Sequence, residues 1–409
     1  VSQGQDTEVI HSGEAFWIQT RVLKWADYPE ITTVDEYFDL LERYQEANPC
    51  LENGTPNIPF AILCDDWRYF CLENVPQFLD GYPNDGSCIV DPDTLQVIDY
   101  NTTPTAKRYY QKLNEEYKKG MISPETFLDT YEEYLDKLST GAVLGMVDQR
   151  WQFYYAIQTA YDSGNLRSYG CDYVPLPITK NQWHTARSAE LDTASGLSIT
   201  ISCEDPEGAM QFVNNLLDPE ITKLRFWGEE NLDYSIDENG IFYLNEEQGV
   251  RVNDRKLKKT HFCTYSYFPR SEGMLSDGIN AFSPENQPVE FWKSQPRDIQ
   301  ECFEAYGVTN YVDMLGRNDA PGVWYPMYSY TNSLTSNTQA GQTLERMDEV
   351  KHRWLPQVIL AQNFEETWNS YMEAYNACDP QSYFEDLQKE LDQRMNKKNS
   401  NFCILNDKN

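Results

Sequence analysis

Two stretches of this chain set acid, guanidinium and indole side by side behind a short apolar run. Asp148-Gln149-Arg150-Trp151 follows Gly141 and the run Ala142 to Val147, and Asp65-Asp66-Trp67-Arg68 follows Pro59 to Cys64. These residue types suit a polyhydroxylated ligand. An indole face covers apolar C–H surface at small entropic cost, while carboxylate and guanidinium groups exchange directional hydrogen bonds with hydroxyls. Asp65 and Asp66 also raise acid/base hydrolysis of a glycosidic bond. That reaction needs two carboxyl groups facing each other across the bond, and neighbours in one segment usually point apart. The plain alternative for the Trp151 stretch is a loop whose indole packs on the core, as most large aromatics do.

Other chemistries find less support. His11, His184, His261 and His352 stand far apart, and the ten cysteines include no Cys-x-x-Cys pair. A zinc ribbon, thioredoxin-like exchange or a nucleophile–histidine triad is therefore not expected. Asp91 to Asp99 is rich in acids but lacks the glycine and terminal glutamate of an EF-hand loop, so it reads as a solvated hairpin. No metal, cofactor or catalytic residue is predicted.

The elements that would position these groups can be read from their boundaries. Gly141 suits the C-cap of a helix before it, and Ala142 to Val147 is too short and branched for another helical turn, so it reads as a buried strand. In open α/β sheets ligands bind beyond the carboxyl ends of strands, where Asp148 to Trp151 would emerge. Pro59 to Cys64 repeats the pattern, and Glu14 to Lys24 reads as a strand running into a short helix. Thr33-Val-Asp-Glu36 is a capping box that opens an amphipathic helix to about Ala47. Thr103-Pro104 opens a helix that Gly120 stops, and Ser123-Pro124 opens the next. Tyr173 to Pro177 is extended. Gly196 to Ser202 reads as a second buried strand, followed by a helix whose face is Ala209, Phe212, Val213, Leu216 and Leu217. Asp237 to Gly240 is a hairpin turn. Helices near 340–361, 364–376 and 380–395 close the chain, with 396–409 as a polar tail.

At 409 residues two lobes are expected rather than one core. A formal charge of -32 disfavours nucleic acid and anionic membrane surfaces as partners. The 28 tyrosines and 10 tryptophans supply flat amphipathic faces of the kind that stack on sugars, although tyrosine filling the core accounts for part of them. No apolar run approaches a membrane span, and the chain opens at Val1 without a signal peptide, which predicts a processed chain or a fragment.

The order of parts resembles the extracellular solute-binding proteins of family 1, which serve carbohydrate ABC transporters, above all the long lipoprotein type of Gram-positive bacteria. The resemblance rests on Tyr109 to Pro124 (YYQKLNEEYKKGMISP), Leu138 to Trp151, Ile201 to Asn214, Ser276 to Asn280, Trp324-Tyr325-Pro326 and Trp354 to Tyr371, together spanning most of residues 15 to 395. It implies a helix-rich α/β, periplasmic-binding-protein-like fold of type II with two lobes that close on a sugar by a hinge. The first lobe is expected to be incomplete, because the strands and helices that open the family's first lobe have no counterpart ahead of Glu14. Residues 1–190 would then form the second lobe, 191–255 a return segment of the first, and 256–395 later loops and C-terminal helices packing across the hinge and second lobe. If so, the apolar face of 209–217 is poorly covered. The implied role is binding an oligosaccharide for a membrane permease, outside the cell and held by a lipid anchor beyond this chain, with no catalysis. The residues expected to meet the ligand are Trp151, Asp148 and Arg150, Trp67 and Asp66, and, from later loops, Tyr265, Tyr267, Trp324 and Tyr325. A glycoside hydrolase and a peptide-binding or adhesion protein are the rival readings.

Overall fold

A computed structural model of the chain describes residues 2–3, 9–11, 13–83, 85–164, 166–178, 196–265, 267–316 and 326–406. Trp324 and Tyr325 lie outside the described residues. The chain divides into two compact units, one of residues 1–11 and 196–314, the other of 12–195 and 315–409. Residues 256–314 fall in the first of these units and 315–395 in the second. The final helix, Pro380–Asn406, runs into the segment read as a polar tail.

The larger unit is built on a four-stranded mixed sheet of β1 (Glu14–Gln19), β2 (Ile58–Ala61), β3 (Val143–Gln149) and β4 (Tyr173–Leu176), in the order β2-β3-β1-β4. Strand β3 pairs parallel with β2, placing Phe60 beside Gly145, and antiparallel with β1, placing Trp17 beside Met146 and Glu14 beside Gln149. The predicted strand therefore occupies an interior position, with residues 143–148 buried. Gly145 explains how a helix comes so close. A Cβ there would sit 2.1 Å from the Tyr37 hydroxyl, which donates to Trp17 O at 2.6 Å.

Around the sheet lie α1 (Thr20–Trp25), α2 (Val34–Ala47), α3 (Phe70–Glu73), α4 (Val75–Asp80), α5 (Pro104–Lys118), α6 (Tyr131–Ser139) and α7 (Arg150–Ser163). The capping box is formed: Thr33 Oγ1 accepts from Glu36 N at 3.2 Å and the Glu36 carboxylate accepts from Thr33 N at 3.0 Å. Thr103 caps α5, and Gly120, at φ +81°, ends that stretch in the left-handed conformation glycine favours. Ser123-Pro124 opens only a 3-10 turn, Pro124–Phe127; α6 starts afresh because Thr130 and Glu133 make a second capping box. Helices Gln339–Ile359 and Phe364–Asn376 complete the unit with Pro380–Asn406. They seal one another through the buried side chains Leu355, Tyr371, Tyr375 and Leu387.

The smaller unit centres on Trp227, Tyr234, Phe242, Leu275 and Phe282. Its Asp237–Gly240 turn joins two short paired strands, Ser235–Ile236 and Phe242–Tyr243, as its Asn-Gly chemistry predicts. Residues 196–202 correct the sequence reading: they form no strand and are largely exposed, with Ile201 fully open. A β-branched run becomes a strand only where a neighbouring backbone pairs with it, and none does among the described residues. The helix that follows, α8 (Pro206–Leu216), forms as expected. Its apolar face is poorly covered, with Met210 57% and Phe212 52% exposed while only Leu216 is buried.

Candidate binding site

The two acid–indole–guanidinium stretches converge in the larger unit. Strand β3 ends at Gln149 and α7 begins at Arg150, so Trp151 stands in the first turn of that helix. Strand β2 leads into a 3-10 turn, Asp66–Tyr69, that carries Trp67 and Arg68. Asp66 enters this turn at φ +48°, a left-handed conformation that costs a non-glycine residue energy and clusters at functional sites.

The side chains form a layered stack. Arg68 Cζ lies 3.9 Å from the Tyr131 ring centroid and 4.5 Å from that of Trp67. Trp67 in turn stacks on Trp151, with planes 7° apart and centroids at 6.0 Å. Phe70 flanks both indoles at 6.0 and 6.5 Å. Trp67 is 55% and Trp151 45% exposed, an unusual surface for two such large apolar groups in contact. The indole N–H of Trp151 donates to Gln149 Oε1.

Asp148 and Arg150 are placed differently from expectation. Asp148 has no exposed surface. Its Oδ1 accepts from Gln152 Nε2 at 2.5 Å and Gln149 N at 2.6 Å, and its Oδ2 from Tyr134 Oη at 2.7 Å. These bonds tie its buried carboxylate to α6 and α7 rather than presenting it at the surface. Burial pushes this acid up to about 6. Glu14, beside it on β1, is held well above the usual carboxylate range by its own burial and by the charges of Asp148 and Glu73. Arg150 is likewise buried, its guanidinium 3.4 Å from the Tyr154 ring centroid. Asp65 is partly buried and accepts from Tyr131 N at 2.9 Å, fixing the start of α6. That leaves Asp66 as the exposed carboxylate next to the indoles.

Tyr265 and Tyr267 belong to the smaller unit, 5.5 Å apart, and are 55% and 82% exposed. Sequence reasoning missed Phe70 and Tyr131 as members of the stack. Phe70 had a signal, standing three residues after Trp67 and so on the same side of a short helical turn. Tyr131 had none, because it arrives from another element. Among the described residues no group of three or more His, Cys, Asp or Glu side chains is arranged to hold a metal ion, and no helix is long and apolar enough to cross a membrane.

No family model and no curated protein matches the chain. Solved structures do. An HMO-binding, ABC-transporter-associated solute-binding protein from Bifidobacterium longum infantis superposes with a TM-score of 0.57 at 13% identity, over 96% of this chain and 75% of that one. The ABC-transporter substrate-binding protein FusA of S. pneumoniae, in complex with kestose, does so with a TM-score of 0.53 at 16% identity, over 96% and 75%. A further crystal structure, of an extracellular solute-binding protein from Bifidobacterium longum subsp. infantis, gives 0.57 at 13%, over 96% and 76%. At these identities the likeness is one of fold. The chain has the helix-rich α/β architecture of the extracellular solute-binding proteins, the periplasmic-binding-protein-like class anticipated from its sequence.

Proposed function

We propose that this chain is the substrate-binding component of an ABC importer and binds an oligosaccharide on its exposed aromatic stack. The observation that carries the reading is the Tyr131–Arg68–Trp67–Trp151 arrangement, an ordered pile of flat groups that ends on an exposed indole. A sugar ring offers such an indole an apolar C–H face, and its hydroxyls can meet the carboxylate of Asp66. The fold supports the reading because the solved structures that share it include an HMO-binding protein and one in complex with kestose. Tyr265 and Tyr267 offer the same stacking chemistry on the smaller unit. Trp324 and Tyr325 remain candidates from sequence. Capture outside the cell, hand-over to a permease, anchoring by a lipid and the absence of catalysis belong to the same proposal.

A thermal-shift panel of neutral oligosaccharides, acidic oligosaccharides and peptides tests it. The reading expects stabilisation by at least one oligosaccharide and by no peptide. Stabilisation by peptides alone would replace it with the adhesion reading. Release of shorter saccharides on long incubation would replace it with hydrolysis.

A further inference from the structure

Hydrogen bonds lead from one buried carboxylate, that of Asp148, towards both ends of the stack. We infer that Asp148 is the positioning residue of the aromatic stack, setting the Trp151 end through Gln149 and the Tyr131 end through Gln152. Asp148 Oδ1 takes the backbone N–H of Gln149 at 2.6 Å and the side-chain amide of Gln152 at 2.5 Å. Gln149 Oε1 then accepts the indole N–H of Trp151, and the backbone carbonyl of Gln152 accepts the Tyr131 hydroxyl. Asp148 is itself held by three further bonds, two to its carboxylate and one to its backbone carbonyl. Tyr134 donates to Oδ2 at 2.7 Å, the Cys71 thiol lies 3.5 Å from Oδ1, and the backbone carbonyl of Asp148 accepts the Trp17 indole N–H at 2.8 Å. The titratable groups facing it are Glu14 from β1, Cys71 from α3, and Tyr131 and Tyr134 from α6.

This geometry turns a local register into the orientation of a surface. Asp148 is the penultimate residue of β3 and Gln152 lies in the first turn of α7, so the two Oδ1 bonds fix the angle at which the helix leaves the strand. Trp151 rides on that turn. Buried networks of this kind keep one arrangement because each member left unpaired would carry a desolvation cost. The inference rests on the proposed binding role only for its consequence, which is weaker ligand stacking when the network fails.

The test is independent of ligand. In a heteronuclear NMR spectrum of the full chain, the Trp151 indole N–H resonance is assigned by its loss in W151F. The contribution of the neighbouring ring current is defined by its displacement in W67L. In D148L at least half of that displacement should vanish while thermal unfolding stays cooperative. D148N should keep it, since an asparagine oxygen accepts both Oδ1 bonds and its amide donates to Tyr134. A resonance unmoved in D148L overturns the inference, as does D148N behaving like D148L. Should D148L not fold, Q149L and Y131F each cut one end at a partly exposed residue. Displacement retained in both would overturn the inference equally. Failure of every oligosaccharide to bind would instead sink the proposed function and leave this result standing.

Discussion

Asp148 carries a carboxylate with no exposed surface, and its behaviour follows from that burial. Its acid rises from 3.8 to about 6 in the folded chain, so across that window the folded state holds a proton that the unfolded state has released. Charging Asp148 therefore weakens the fold. The weakening is absent below 3.8, builds as pH rises and is complete above about 6. D148N keeps the shape without the charge, and above the folded value it should exceed the unchanged chain in stability by up to about 3 kcal/mol. The gain should close as pH falls towards 3.8. Urea midpoints of both chains across pH check this; a gain that does not vary with pH would place its source elsewhere. The type of residue at 148 was legible in sequence as interesting, but its role was not. Whether a carboxylate at a strand end meets ligand or framework depends on Tyr134 and Gln152, which arrive from two helices, and on the depth at which β3 lies.

Strand β3 and its neighbours were the most legible elements, because their signals are local. A glycine before an apolar branched run, or a Thr-x-x-Glu box before a helical stripe, is decided within a few residues. Residues 196–202 carried an equally good strand pattern and formed none, since pairing is supplied by other backbone. The same contrast yields two expectations. Gly145→Ala should cost about 1–3 kcal/mol by driving the Tyr37 hydroxyl off Trp17 O, read as a lowered urea midpoint. An unchanged midpoint would mean that α2 moves aside freely. On α8, M210S and F212S together should reduce binding of a hydrophobic dye and self-association while shifting stability by no more than about 0.5 kcal/mol, because both side chains are more than half exposed. A large loss of stability would show that this face is packed in solution.

The whole molecule joins two acidic units whose shared charge of -32 makes a neutral ligand easier to accept than an anionic one. Its fold class was legible from the order of loose phrases rather than from any single motif, which is how a chain with 13% identity to a solved structure can still announce its architecture. The stack was legible only in part. Trp67 and Trp151 are 84 residues apart in sequence, and nothing local says that β2 and β3 run side by side and release their indoles at one end. In the proposed function the exposed indole of Trp151 holds a sugar. Calorimetric titration of the oligosaccharide that most stabilises the chain, into the unchanged protein and into Trp151→Ala, measures this directly. Affinity should be at least tenfold weaker in the variant, a loss of about 1.4 kcal/mol or more. Equal affinity in the two proteins would contradict it.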